Sequence, residues 1–235
     1  MIKFFRKIRQ RLLSENKFSK YMIYAIGEII LVVIGILIAL SINNWNETNK
    51  NEQEQIVFLN NLKNDLTNDL KQLDEILKFQ KEKLSSVNEL KNQLLTNRDF
   101  EKIEQLFAKI SSSGNDTYFP NTGSYTTSVS SGKIASLNPS SLRIAITNLY
   151  ERFYFRLIYN GEIYDKRDDE VAFSQGKFFN KLTLKLNSKD VIEDSEFVNL
   201  ITIVFDDNST YVQRGDETKS EILNVLKLVD QRLKE

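Results

Sequence analysis

Residues 21–42 read YMIYAIGEIILVVIGILIALSI, the longest apolar stretch of the chain, and this stretch decides the fold of its N-terminal part. At about 1.5 Å per residue, a helix of this length extends roughly 33 Å, enough to cross a hydrocarbon core of about 30 Å. We therefore predict one transmembrane helix over residues 21–42. The other apolar run, residues 197–205, is too short to cross a bilayer.

The charges on the two sides of this segment differ in sign. Residues 1–20 contain seven basic residues and one acidic residue, whereas residues 43–235 contain 25 basic and 30 acidic residues. Basic flanks stay cytoplasmic, so we expect a cytoplasmic N-terminus and an exported C-terminal part. We interpret residues 1–20 as a basic amphipathic arm in the headgroup region of the lipid bilayer. The acidic exported part argues against nucleic acid as a partner.

Aromatic residues flank the segment where interfacial anchors are expected. Tyr21 and Tyr24 lie near its start, and Trp45 follows its end. The alternative is a cleavable signal peptide, since Ala39-Leu40-Ser41 imitates a small-residue cleavage site. The full span length of the apolar run favours the membrane anchor.

The exported part offers little chemistry for catalysis. The chain contains no cysteine and no histidine, which excludes disulfides, Cys/His metal sites and Ser-His-Asp triads. We identify no catalytic, metal or cofactor-binding residues and expect no cofactor. Asp206 begins a spacing that resembles a calcium loop, but Tyr211 stands where such a loop needs glycine.

The spacing of apolar residues predicts an all-α fold. Residues 43–55 are polar and form either a stalk or the frayed start of a long helix; residues 56–235 form one extracytoplasmic helical domain, a bundle with coiled-coil-like helices. The long amphipathic helix carries Leu59, Leu62, Leu66, Leu70, Leu73, Leu77, Leu84, Val87 and Leu94. A shorter helix is expected near residues 100–110.

Residues 111–141 are rich in Ser, Thr, Gly and Asn, and we interpret them as a long connection. Asn138-Pro139 then predicts the start of a second long helix that reaches about Lys181. Residues 182–186 alternate like a strand but have no evident pairing partner, so we interpret them as a helix end. Thr218 and Glu221 predict a capping box at the start of a final helix.

Glu28 is the one charged residue inside the apolar segment. An acidic residue near the bilayer centre costs about 2.5–3.5 kcal/mol on insertion scales. Glu28, Val32, Gly35 and Ala39 share one helical face, and Gly35-x-x-x-Ala39 allows two helices to approach closely. One interpretation is that this face forms a helix–helix interface around the buried Glu28 carboxyl. The other is that the membrane only tolerates Glu28 and that Gly35 has no role in helix contact.

Two stretches carry a resemblance to a known family. The longer one runs from Lys17-Phe18-Ser19-Lys20-Tyr21 through Gly27-Glu28-Ile29 to Asn43-Asn44-Trp45-Asn46-Glu47. The weaker one covers Tyr125, Ser130-Ser131-Gly132-Lys133-Ile134 and Leu142-Arg143. They resemble an uncharacterised family of single-span membrane proteins of Bacteroidetes-type bacteria. The resemblance implies an inner-membrane anchor and a helical periplasmic region, and it implies no activity.

Aromatic residues concentrate on the second long helix. Tyr150, Tyr154 and Tyr159 either line a groove for a ligand or partner, or belong to the core. We expect a membrane-anchored interaction or assembly protein, either a homo-oligomer or bound to a membrane protein partner. The alternatives are a ligand sensor that signals through a partner and an accessory subunit of an ion-driven complex; an enzyme is the least favoured class.

Overall fold

The computed structural model consists mostly of helices. Most of them have apolar residues that recur at three- and four-residue steps. The structure describes residues 18–234, without the side chains of Phe18, Lys20 and Tyr21. The predicted basic arm therefore lies almost entirely outside the described residues. The chain divides into two compact units, Met1–Gln55 and Ile56–Glu235. The all-α prediction is confirmed.

The first helix, α1, begins at Phe18 and ends at Leu95. The most apolar 18-residue window of this helix is not buried at all, and the helix is a candidate membrane span by its length and composition. Residues 43–55 are helical and continue α1, and their role as a stalk stays a prediction. From Leu59 to Leu94 the apolar face predicted from the sequence is buried, apart from the half-buried Leu70 and Leu84.

The second unit contains five further α-helices. They are α2 (Phe100–Ser112), α3 (Gly123–Ser130), α4 (Ser140–Asn148), α5 (Phe155–Ser174) and α6 (Ser195–Arg232). A π-helical turn, Leu149–Tyr154, joins α4 to α5. Short 3₁₀ segments are Lys133–Ser136, Gln175–Lys177 and Lys189–Glu193. The predicted second long helix is therefore interrupted by a π-turn and ends at Ser174 instead of Lys181.

The interpretation of residues 182–186 as a helix end is wrong. Strand β1 (Phe179–Asn180) pairs in antiparallel fashion with β2 (Lys185–Leu186). The turn between them is held because the Asn180 side chain accepts hydrogen bonds from the backbone N–H groups of Leu182 and Thr183. The pairing partner was missed because two residues are too short to show a period.

The predicted capping box is also wrong, since α6 runs through Thr218 without a break. The Thr218 hydroxyl instead donates to the backbone oxygen of Arg214, one turn earlier. The cap of α6 is Asp194, whose carboxylate accepts a hydrogen bond from the Glu196 N–H. The calcium-like spacing after Asp206 lies within this same helix, which cannot wrap an ion.

Two apolar clusters form the core of the second unit. One joins α1 to α4, the π-turn, α5 and the end of α6, and it contains six buried tyrosines in addition to aliphatic residues. The other joins the end of α1 to α2, the hairpin and the start of α6 around Phe107, whose ring lies 5.1 Å from those of Phe179 and Phe197. The helices that these two clusters pack together also carry the polar side chains of the candidate site.

Candidate functional site

An irregular segment, residues 113–122, lies between α2 and α3, and we call it the strap. Side chains from three helices form hydrogen bonds with several of its polar groups. The Asn121 backbone N–H and side-chain amide both donate to Oδ1 of Asp69 on α1, at 2.8 and 2.7 Å. The Tyr118 N–H donates to the hydroxyl of Tyr211 on α6 at 2.9 Å. Hydrogen bonds to buried side chains therefore attach the strap to the core.

Asp69 is a completely buried carboxylate. Its second oxygen accepts a hydrogen bond of 2.8 Å from the Tyr154 hydroxyl. No cationic side chain forms an ion pair with it among residues 18–234. Burial raises the pKa of Asp69, and the bonds from Asn121 and Tyr154 oppose that shift. Such a carboxylate is costly, and its three donors offset part of the cost.

Four tyrosines surround this carboxylate and the strap. The rings of Tyr125 and Tyr150 are stacked with centroids 4.2 Å apart, Tyr150 meets Tyr154 edge-on at 4.9 Å, and Tyr154 meets Tyr118 at 5.6 Å. Burial, and then the hydrogen bond to Glu151, raises the pKa of Tyr125 to about 12. Burial also raises the pKa values of Tyr118, Tyr150 and Tyr154, so all four phenols are neutral near pH 7. Three of the hydroxyls form hydrogen bonds, whereas the buried Tyr118 hydroxyl has no partner among the described residues.

A second cluster of polar side chains connects the strap to α1, α5 and α6. The Gln80 amide donates to the Asn115 side chain at 3.1 Å and to the Asp116 backbone oxygen at 2.8 Å. The buried Asn208 amide donates to the Gln80 oxygen at 2.6 Å and to the Tyr164 hydroxyl at 3.1 Å. Three helices thus share one buried hydrogen-bonded network with the strap.

Asp165 on α5 completes this attachment. It accepts hydrogen bonds from the Asn115 amide at 2.6 Å and the Thr117 hydroxyl at 2.9 Å. Close packing accompanies these bonds, because a Cβ added at Gly161 would lie 3.4 Å from Thr117 and from Tyr211. The second unit therefore contains a hydrogen-bonded polar site around the strap, and the described residues of this site do not form a catalytic arrangement of side chains.

The family comparison covers most of this site. A model for a family of unknown function (DUF6090) matches residues 28–209. The chain belongs to the DUF6090 family. No curated protein and no solved structure matches the chain. The DUF6090 match begins at Glu28 in the apolar segment and includes Asp69, the strap, the π-turn and Asn208. Membership of an uncharacterised family is confirmed, whereas a Bacteroidetes origin stays a prediction.

The tyrosines predicted from the sequence lie in two environments. Tyr150 and Tyr154 are buried beside Asp69, while Tyr159 is 55% exposed and stacks on the exposed Phe155 at 6.4 Å. Tyr150 and Tyr154 both belong to the π-helical turn, which widens the helix where their side chains enter the core. The three tyrosines therefore do not share one surface.

The predicted membrane face is described within the first unit. Val32, Gly35 and Ala39 are exposed and Glu28 is half-buried, while Trp45 is 68% exposed. A Cβ added at Gly35 would meet no atom within 4 Å. Packing within the described chain therefore gives no reason for a glycine at this position.

Asp69, Gln80 and Asn208 were missed by sequence reasoning. Asp69 and Gln80 fall at the same three- and four-residue steps as the buried leucines of α1, so their positions within an apolar face were the available signal. Asn208 also lies four residues after the buried Val204 and three before the buried Tyr211, but the polar stretch of residues 206–210 obscures this apolar face in the sequence. Its partners come from α1 and α5 and are distant in sequence.

A groove of about 560 Å³ separates α5 from the first half of α6 in this DUF6090 chain. Val171, Leu200 and Ile203 contribute its apolar wall, and Glu170 and Glu196 lie among its polar lining. Arg167 at this groove is paired with Asp207. The groove is open and its charges are of both signs, so it does not select one class of ligand.

Proposed function

We propose that this DUF6090 protein is a single-pass inner-membrane protein that acts as an interaction or assembly protein on the periplasmic side. The observation that carries the proposal is the exposed apolar segment of α1. No residue of its most apolar 18-residue window is buried. The charge difference across this segment supports a cytoplasmic N-terminus. The absence of a catalytic arrangement among the described residues favours binding over catalysis.

The proposal includes self-association through the span. The face with Glu28, Val32, Gly35 and Ala39 has small residues that permit close helix contact, and Gly35 is not required by packing within the described chain. A second copy of the same face would bury Glu28 away from lipid, which offsets the cost of an intramembrane carboxyl. The long α1 then contributes a coiled-coil-like helix to a bundle in the second unit.

The test is the oligomeric mass of the full-length protein in mild detergent. Gly35→Leu places a bulky side chain on the proposed face and is expected to dissociate the oligomer. Gly27→Leu is the matched control, because Gly27 also has no atom near its added Cβ and lies about 80° away around the helix. The proposal fails if both variants keep the mass of the wild type or if both lose it.

A ligand sensor is the second candidate function. The π-helical turn favours it, since such turns are frequent at functional sites, and here the turn contacts the strap through Tyr154 and Asp69. A ligand that binds the second unit would raise its unfolding temperature in a saturable manner. A broad ligand screen without any such shift would count against the sensor.

A further inference from the structure

Three arginines meet beside the π-helical turn. Arg152 and Arg156 are four residues apart and lie on the same side of the helix, and Arg214 lies opposite them on α6. With Phe153, Glu217 and Thr218 they line a small cavity of about 40 Å³. One water needs roughly 10–15 Å³ by this measure, so the cavity accommodates one small oxyanion.

The positive charge of this site exceeds its negative charge. Glu217 is its single acidic residue, and both carboxylate oxygens accept hydrogen bonds from Arg214, at 2.8 and 3.1 Å. Arg152 and Arg156 form no salt bridge within residues 18–234, and Arg152 lies over the Phe153 ring at 5.8 Å. These two guanidinium groups therefore have no ion-pair partner within 4 Å among the described residues, although Glu217 attracts Arg156 at longer range. Their mutual repulsion disfavours the empty site.

Glu217 satisfies the Arg214 guanidinium group only in part. The Nε of Arg214 is buried and has no hydrogen-bond acceptor among the described residues. A buried donor without an acceptor is costly and in native proteins usually has a water or an ion as its partner. Because this Nε is closed to a water-sized molecule, an oxyanion in the cavity would contact Arg214 through a terminal guanidinium nitrogen instead.

We propose that Arg152, Arg156 and Arg214 form a binding site for a phosphate group. Three guanidinium groups beside one carboxylate leave a formal charge of +2, which matches a phosphate dianion better than a carboxylate. Guanidinium groups also suit phosphate because they donate two parallel hydrogen bonds. Since the DUF6090 match ends at residue 209, Arg214 and Glu217 lie outside it. The inference is independent of the proposed membrane assembly.

The experiment is a calorimetric titration of the full-length protein in detergent with inorganic phosphate, slightly above neutral pH, with sodium chloride adjusted to keep ionic strength constant. We expect saturable binding. The double variant Arg152→Gln/Arg156→Gln should weaken it by roughly tenfold or more, because two charge-assisted contacts are lost. Both side chains are exposed, so the variant should keep its fold, which circular dichroism checks.

The matched control is Lys166→Gln, which removes an exposed positive charge from α5 outside the cavity. It should bind phosphate with an affinity like that of the wild type. The proposal is overturned if phosphate gives no saturable signal beyond that of chloride, or if the double variant binds as the wild type does.

A third titration distinguishes the sources of the phosphate group. Dimethyl phosphate is a singly charged diester, as in a lipid headgroup, whereas inorganic phosphate represents free phosphate or a monoester. Tighter binding of inorganic phosphate would assign the site to a free phosphate or a monoester. Equal binding of the two would assign it to a lipid headgroup, and either result supports a phosphate site.

Discussion

The Tyr154 hydroxyl offers a sharp test of how the strap is held. Tyr154→Phe removes one oxygen and leaves the aromatic ring, so the packing against Tyr118 and Tyr150 is retained. What is lost is the 2.8 Å hydrogen bond to the buried Asp69 carboxylate. The Asn121 donors to the other carboxylate oxygen remain.

The magnitude follows from the type of bond. A hydrogen bond to a charged group contributes about 1.5–3 kcal/mol, and here one oxygen of a fully buried carboxylate loses its donor. We therefore expect a loss of about 2 kcal/mol in the free energy of unfolding. For a unit of this size, that corresponds to a decrease of roughly 4–8 °C in unfolding temperature.

The assay is thermal unfolding of the full-length protein in mild detergent, followed by far-UV circular dichroism at neutral pH. Tyr159→Phe is the matched control, since it removes the same hydroxyl from a tyrosine that is 55% exposed. Its effect should remain within about 0.5 kcal/mol. Equal unfolding temperatures for the two variants would refute the description of Asp69 as a buried acceptor of the Tyr154 bond.

Three further substitutions test the polar core and the span. Asp69→Asn tests the raised pKa of the Asp69 carboxyl group. The folded state keeps the Asp69 proton to a higher pH than the unfolded state does, so acidification from neutral pH through that raised pKa should stabilise the wild type relative to Asp69→Asn. A difference in unfolding free energy that does not depend on pH would contradict this. Lys83→Met removes the buried lysine of the 3.2 Å ion pair with Asp168. Because the Asp168 side chain is 31% exposed, its carboxylate stays hydrated after this change, and we expect a loss of no more than about 1 kcal/mol in unfolding free energy. A loss of several kcal/mol would contradict this. Glu28→Gln should keep the oligomer and Glu28→Lys should break it, as judged by mass in detergent; an unchanged mass for the lysine variant would contradict a buried carboxyl at the helix interface.

The helices of the second unit could be predicted because their apolar residues repeat. The leucines from Leu59 to Leu94 gave the buried face of α1, and Ile103, Phe107 and Ile110 gave that of α2. The β-hairpin could not be predicted, because each strand has two residues and its turn depends on the Asn180 side chain.

The polar site was less accessible to sequence reasoning. Asp69 and Asn121 are 52 residues apart, and Gln80 and Asn208 are 128 apart, so their contacts arise only when α1, the strap and α6 come together. The π-turn was also invisible, since one widened turn does not break the apolar spacing around Leu149. Local patterns indicate which faces are buried, whereas the partners of buried polar groups depend on tertiary structure.

The most direct test of the central proposal is the mass and composition of the full-length protein purified from its native membrane in mild detergent. We predict a defined homo-oligomer or a complex with a second membrane protein at a fixed ratio, and Gly35→Leu should disrupt it. A single chain with no second protein, of the same mass for wild type and Gly35→Leu, would contradict an assembly function.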